Sequence, residues 1–336
     1  MKERKSFGES VKDNLHYVFR HENVALLFVL IALIFGTAYL TKGTTITRTN
    51  VRNVLVQSSV RGIVSIGQAF VVLSSGIDVS VGGIGLFSSI LGSSLMTLDY
   101  KNIVGHPIAV PVAVLIMIAA GTAWGLFNGI LISRIKMPAL IVTLGMWQIT
   151  RGAAFRINHG YSISNLPDSL AFWGQGNIAG VETPIIIFIA VAIIAYFVLN
   201  RTSFGRGVYA TGGNMPSAWL SGIPVRNYQL FVYVIAGFLA GIGAVVMTGR
   251  VMSASMLTLN GLELDTIASV FVGGVSLAGG KGNLIGVIFG VLIIGVLNNT
   301  LSVLGTGPDM QGFAKGAIII AAVAIDYLRR RETIAY

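Results

Sequence analysis

The 336-residue chain contains no cysteine, which excludes disulfides, thiolate metal sites and thiol redox chemistry. Histidine is scarce. The four present, His16, His21, His106 and His159, show no metal-ligand spacing, so no metal is expected. Charge is also scarce: 11% of residues, against about 25% in ordinary soluble domains. Hydrophobic residues make up 54%, which places the chain in a membrane with little soluble mass. Acids are the rarer sign, 13 against 23 lysines and arginines. This excess does not point to nucleic acid. No basic patch is interleaved with aromatics, and the cations gather at the ends of apolar runs, as membrane topology requires.

A spanning helix needs about 20 mostly apolar residues. Candidate runs lie at 24–40, 54–75, 79–98, 107–133, 138–155, 184–200, 228–249, 263–279, 284–304 and 312–328. The expected fold is therefore all-α and polytopic, with about ten transmembrane helices and broken glycine-rich segments. The first run could be read as a cleaved signal peptide, but its lead is long and mixes acids with bases, which argues against that. Residues 1–23 form a cytoplasmic lead, 24–328 the membrane domain and 329–336 a cytoplasmic tail. Arg134, Lys136, Arg201, Arg206, Arg226, Lys281 and Arg329–Arg331 then share a side with the basic N-terminus. That bias of about two to one predicts both termini inside. The longest outside loop, 156–183, is rich in turn and aromatic residues and suits a short structured element at the membrane surface.

Glycine is abundant, at 42 residues. Gly121/Gly125/Gly129, Gly237/Gly241, Gly286/Gly290 and Gly312/Gly316 recur at four-residue spacing. Small residues so spaced let helix backbones touch when lipid competes for apolar side chains. Packing within one subunit is the expectation, a dimer contact the alternative. There is also a faint internal echo. At an offset of 201 residues, Ile66, Phe70, Val71 and Ser75 match Ile267, Phe271, Val272 and Ser276. Both stretches run from an apolar helix into a glycine-rich break, a plan common among transporters built from duplicated units.

The first of these breaks carries a charge. In Gly76-Ile-Asp-Val-Ser-Val-Gly-Gly83, an aspartate stands amid apolar residues. A charge at membrane depth survives where it faces a cavity, a partner or backbone donors. Asp78 and Ser80 are thus candidates for the wall of a solute path. Asp78 suits capping of the helix that starts near Ser80 better than direct solute binding. Other polar residues in the runs are few: Gln68, Asn128, Gln148, Arg151, Asn298 and Asn299. Amides and hydroxyls fit an uncharged, sugar-like solute, though buried amides also join helices. Arg61 and Lys315 are expected to snorkel or pair. Glu263 and Asp265 open a run, where acids complement the helix dipole. The stretch Gly273–Gly282 resembles a phosphate loop but fails its pattern, with Val275 and Gly282 at the required Gly and Ser/Thr positions.

The loop 201–227 holds the most specific pattern. Asn214 suits an N-cap, Pro216 a first turn and Gly222 a C-terminal stop. They delimit a short helix, Met215–Ser221, lying flat on the cytoplasmic face, where another protein can grip it.

At this point the chain resembles the permease subunits of bacterial ABC importers of the ribose, or monosaccharide, type. Gly-Ile-Asp-x-Ser-Val-Gly stands at 76–82, Val-Thr-Leu-Gly at Val142–Gly145, and Arg-Gly at Arg151-Gly152. The loop motif runs from Gly205 to Ile223, and Glu-Leu-Asp through Gly-Gly from Glu263 to Gly280. Together they cover most of 50–325 in the family order. The loop departs from the family in having Ser217 and Ala218, followed by a bulky Trp219. The resemblance implies two permease copies, or a copy and a paralogue, forming the path in the inner membrane. Two cytoplasmic ATPases would bind the ATP, and a periplasmic or lipid-anchored binding protein would deliver the solute. The permease would need no cofactor and do no bond chemistry. Gly213, Asn214, Ala218, Gly222 and Ile223 would touch the ATPase. Within the family, autoinducer-2 or a nucleoside-like solute is the alternative cargo. Outside it, an ion-coupled carrier would want more titratable groups at mid-depth than Asp78 supplies.

Overall fold

The computed structural model describes residues 22–99 and 102–334. Most of the cytoplasmic lead expected at 1–23, and the last two residues of the tail, lie outside the described residues. The described helices are α1 (Glu22–Leu40), α2 (Arg48–Leu73), α3 (Val81–Met96), α4 (Val110–Ser133), α5 (Ala139–Asn158), α6 (Ala171–Gln175), α7 (Thr183–Arg201), α8 (Ser203–Gly213), α9 (Met215–Leu220), α10 (Val225–Val251), α11 (Leu262–Val272), α12 (Leu284–Val303) and α13 (Pro308–Ile334). Two short strands, β1 (Asn177–Ile178) and β2 (Val181–Glu182), pair as a hairpin.

Every apolar run read from the sequence contains a helix. Six of these helices, α1, α2, α4, α7, α10 and α12, are long and apolar enough to cross a membrane. The run at 263–279 is the clearest departure. Its helix α11 has 11 residues, about 16 Å, roughly half of the hydrocarbon thickness. Gly274, Gly279, Gly280 and Gly282 all have positive φ, and this backbone cannot continue a helix.

The seam between α4 and α10 is backbone against backbone. A Cβ added to Gly125 would stand 3.0 Å from Gly237 Cα, and one on Gly241 would stand 2.8 Å from Ile118 Cα. Likewise, a Cβ on Gly290 of α12 would lie 2.8 Å from the Gly273 amide nitrogen at the end of α11. These three glycine stripes pack within the chain. A Cβ added to Gly312 or Gly316, on α13, would meet nothing within 4 Å among the described residues. Helix α2 is the hub. From Ser58 to Leu73 it is buried, against α7, α10, α11 and α12.

The loop after α5 is structured, as its composition predicts. Ile163 and Ala254 exchange backbone hydrogen bonds of 2.8 and 2.9 Å. Helix α6 crosses the end of α10, where Gly174 presses on the Gly249–Arg250 backbone. The β1–β2 turn is Ala179-Gly180, both with positive φ, the conformation that tight hairpins prefer.

The faint repeat has a structural counterpart. Helix α2, a break at 74–80 and helix α3 parallel helix α11, a break at 273–283 and helix α12. The 201-residue offset aligns the two helix ends that flank each break to within two residues.

Candidate functional site

Helix α2 ends because Ser74 and Ser75 close its last carbonyls, with Ser75 at φ 64. The chain then runs non-helically to Ser80 before α3 begins. Side chains from three helices hold this break. With its amide oriented to satisfy both groups, Gln68 of α2 donates to the Asp78 carbonyl (3.0 Å) and accepts from the Asp78 N–H (3.3 Å). Tyr233 of α10 donates through its hydroxyl to the Ile77 carbonyl at 3.3 Å. Asn128 of α4 donates to Ser80 Oγ at 2.8 Å.

Asp78 itself is fully buried. Its Oδ1 accepts from the Ser80 amide at 2.8 Å and from Ser80 Oγ at 2.5 Å. The carboxylate therefore closes a tight local turn just ahead of α3 instead of capping the helix's own first amides. Asp78 Oδ2 and Asn128 Oδ1 have no hydrogen-bond partner among the described residues.

Four sequence candidates thus meet at one place: Gln68, Asp78, Ser80 and Asn128. Gln148 and Arg151 do not join them. Gln148 lies exposed on α5. Arg151 stacks over the Trp147 ring (5.1 Å to its centre) and donates to Asn260 at 2.9 Å. Around Gln148, a Cβ added to Gly145 or Gly152 would meet nothing within 4 Å among the described residues. The glycines of α4, α10 and α12 press on neighbours, whereas among the described residues this face of α5 stands open.

Two polar features escaped the sequence reading. One is Tyr233, whose only signal is a hydroxyl inside an apolar run. The other is a buried ionic cluster. Asp265 of α11 pairs with Arg61 of α2 at 3.2 Å and with Lys315 of α13 at 2.8 Å, and accepts from Asn298 at 3.3 Å. Arg61 and Lys315 pair with an acid, and Asp265 serves more than the helix dipole.

The loop 201–227 contains two helices where one was expected. Thr202 caps α8 by accepting from the Gly205 amide at 3.3 Å. Asn214 caps α9 by accepting from the Ser217 amide at 2.9 Å. The Gly222 amide then donates to the Trp219 carbonyl, and Ile223 to Ala218, both at 3.0 Å. Gly213, Asn214 and Gly222 are exposed, Ile223 is half-buried, and Ala218 faces inward, 5% exposed. Trp219 and Leu220 protrude, 69% and 77% exposed. Between α9, the start of α10, the end of α4 and the break lies a cavity of about 660 Å³, lined by Ser75, Ser133, Lys136, Trp219, Gln229 and Tyr233 among others.

Residues 50–323 match the family described as branched-chain amino acid transport system / permease component. The chain is 34% identical over 314 residues to the ribose import permease protein of Escherichia coli (strain K12), covering 92% of this chain and 94% of that one. It is 35% identical to the ribose import permease protein of Bacillus subtilis (strain 168), over 82% and 84%. The D-allose transport system permease protein of Escherichia coli (strain K12) is 35% identical, over 90% of each chain. No solved structure matches.

Proposed function

Since the chain belongs to the branched-chain amino acid transport system / permease component family, with sugar import permeases among its relatives, we propose that it is the membrane subunit of an ATP-driven importer of a monosaccharide. The solute is a ribose-like pentose or a hexose. The chain crosses the bacterial inner membrane ten times, with both termini in the cytoplasm.

The observation that carries this reading is α9. A six-residue helix, capped at its start and stopped by Gly222, displays Trp219 and Leu220 to its surroundings. It faces the break before Asp78 across the cavity, and Asn214 joins it directly to α8. An outside motor gripping α9 has a short route to the broken helices. The motor is a pair of cytoplasmic ATPases, which carry the ATP, and a binding protein supplies the solute at the opposite face.

The second permease copy, or a paralogue, packs on the open face of α5. An amide facing lipid leaves its hydrogen bonds unmet, at a cost of several kcal/mol. Gln148 is better placed facing a partner or an aqueous path, with Gly145 and Gly152 admitting close approach. The path then runs between the copies, with Gln148 on its wall.

The test is reconstitution with the cognate ATPase and binding protein, followed by uptake of ribose, allose, arabinose, fructose and autoinducer-2. ATP-dependent uptake of a monosaccharide is expected. Uptake driven by an ion gradient without ATP refutes the importer reading.

A further inference from the structure

The two breaks do not merely resemble one another; they meet, and the end of α8 is built into their meeting point. The Gly280 amide donates to the Leu73 carbonyl at 2.9 Å, joining the second break to the end of α2. Ser75 Oγ lies against two carbonyls, Ala278 of the second break and Gly212 of α8, the latter at 2.9 Å. From α8, the Tyr209 hydroxyl donates to the Gly282 carbonyl at 3.0 Å. There is no slack between the three pieces. An added Cβ on Gly212 would strike the Leu73 carbonyl and stand 2.7 Å from the Gly280 amide. One on Gly279 would stand 2.6 Å from the Ser75 amide.

Resting on the importer reading, we propose that this junction is the transmission of the machine. Tyr209, Gly212, Ser75 and Gly280 clamp α8 to both broken helices, so that one pull on α9 moves the two halves of the repeat together. The connection from α9 is short, because Asn214 both ends α8 and caps α9. Each contact is a backbone carbonyl held by a hydroxyl or an amide. The Gly280–Leu73 bond and the close packing of Gly212 carry displacement directly through main chain, and the Ser75 and Tyr209 hydroxyls tie α8 to the same backbone. These are positioning residues; none is required to touch the solute. The clamp stays closed throughout the cycle, and movement occurs around it.

Two experiments on the reconstituted complex decide this. The first weakens the clamp with Tyr209→Phe and with Ser75→Gly, the latter removing the hydroxyl while relieving the positive φ. Each variant is expected to hydrolyse ATP at the normal rate but to import about fivefold less solute per ATP, the change that one lost hydrogen bond supplies. A merely structural role would lower both activities in proportion. An unchanged ratio of import to hydrolysis in both variants overturns the proposal. The second experiment uses the absence of native cysteine. Ser75→Cys with Ala278→Cys, joined by a short thiol cross-linker, is expected to link equally with and without trapped ATP and, once linked, to import at least as much per ATP as before linking. Cross-linking confined to one state, or loss of import once linked, overturns it. Failure of the unmodified complex to import with ATP would sink the importer reading instead, while the cross-linking yield would still show whether the clamp stays closed.

Discussion

Arg61 and Asp265, 204 residues apart in the chain, form an ion pair at 3.2 Å with their side chains only 10% and 8% exposed. Two charges taken out of water are held by their mutual attraction, and removing one strands the other. Asp265→Asn strands Arg61 and frees Lys315, so it should cost about 3–5 kcal/mol. Lys315→Gln should cost clearly less, because Lys315 is 21% exposed and Arg61 keeps its partner. Thermal unfolding of the purified variants in lipid nanodiscs gives the ranking. Equal losses would show that the pair is not the anchor.

The α4–α10 seam makes an opposite pair of expectations for one substitution. Gly125→Ala forces a methyl against the Tyr233 carbonyl and Gly237, and should destabilise by about 1–3 kcal/mol. Gly152→Ala, on α5, meets nothing within 4 Å among the described residues and should be neutral or stabilising by up to about 1 kcal/mol, from helix propensity. Melting temperatures of the two single variants should therefore move in opposite directions or differ widely.

Gln68 stands in for a missing strand, satisfying both backbone groups of Asp78. Gln68→Leu leaves a buried N–H and C=O without partners, at about 1–3 kcal/mol for each group. Uptake should fall together with stability. A variant that unfolds normally yet loses uptake would place Gln68 in solute contact instead.

Gln148 should behave in the reverse way. It is exposed on α5, so Gln148→Ala should change the stability of the isolated subunit by less than about 0.5 kcal/mol. The assembled importer should show a raised KM for uptake or a weakened pairing of permease copies. Kinetics in proteoliposomes and the mass of the complex in detergent separate those outcomes, and an unaltered importer would remove Gln148 from the path.

Much of this architecture is local and therefore legible in the chain. Gly76 and the serines before it mark a break, Asn214 and Gly222 bracket α9, and four-residue glycine spacing marks the α4–α10 seam. Helix α8 was hidden because four glycines in 11 residues read as turns. Three of them, Gly205, Gly207 and Gly212, are small because Leu199, Tyr228 and Leu73 sit where a side chain would go. Such neighbours are distant in sequence or depend on a bend, so composition alone gives the wrong reason for the glycine. The partners of Asp265 were hidden for the same cause. A helix-dipole reading of an acid in a first turn is complete in itself and gives no hint of Arg61. Likewise the sequence shows Gln148 as one amide among several, whereas the fold shows it exposed among the described residues.

The backbone-on-backbone seam between α4 and α10 also constrains how this protein can diversify. A contact made by carbonyls and α-carbons has no side chain for a point mutation to retune. Any larger residue at Gly121, Gly125, Gly237 or Gly241 opens the seam before it alters what passes nearby. Variation that leaves the fold intact must therefore come from elsewhere, such as the exposed face of α5, while the seam itself stays fixed.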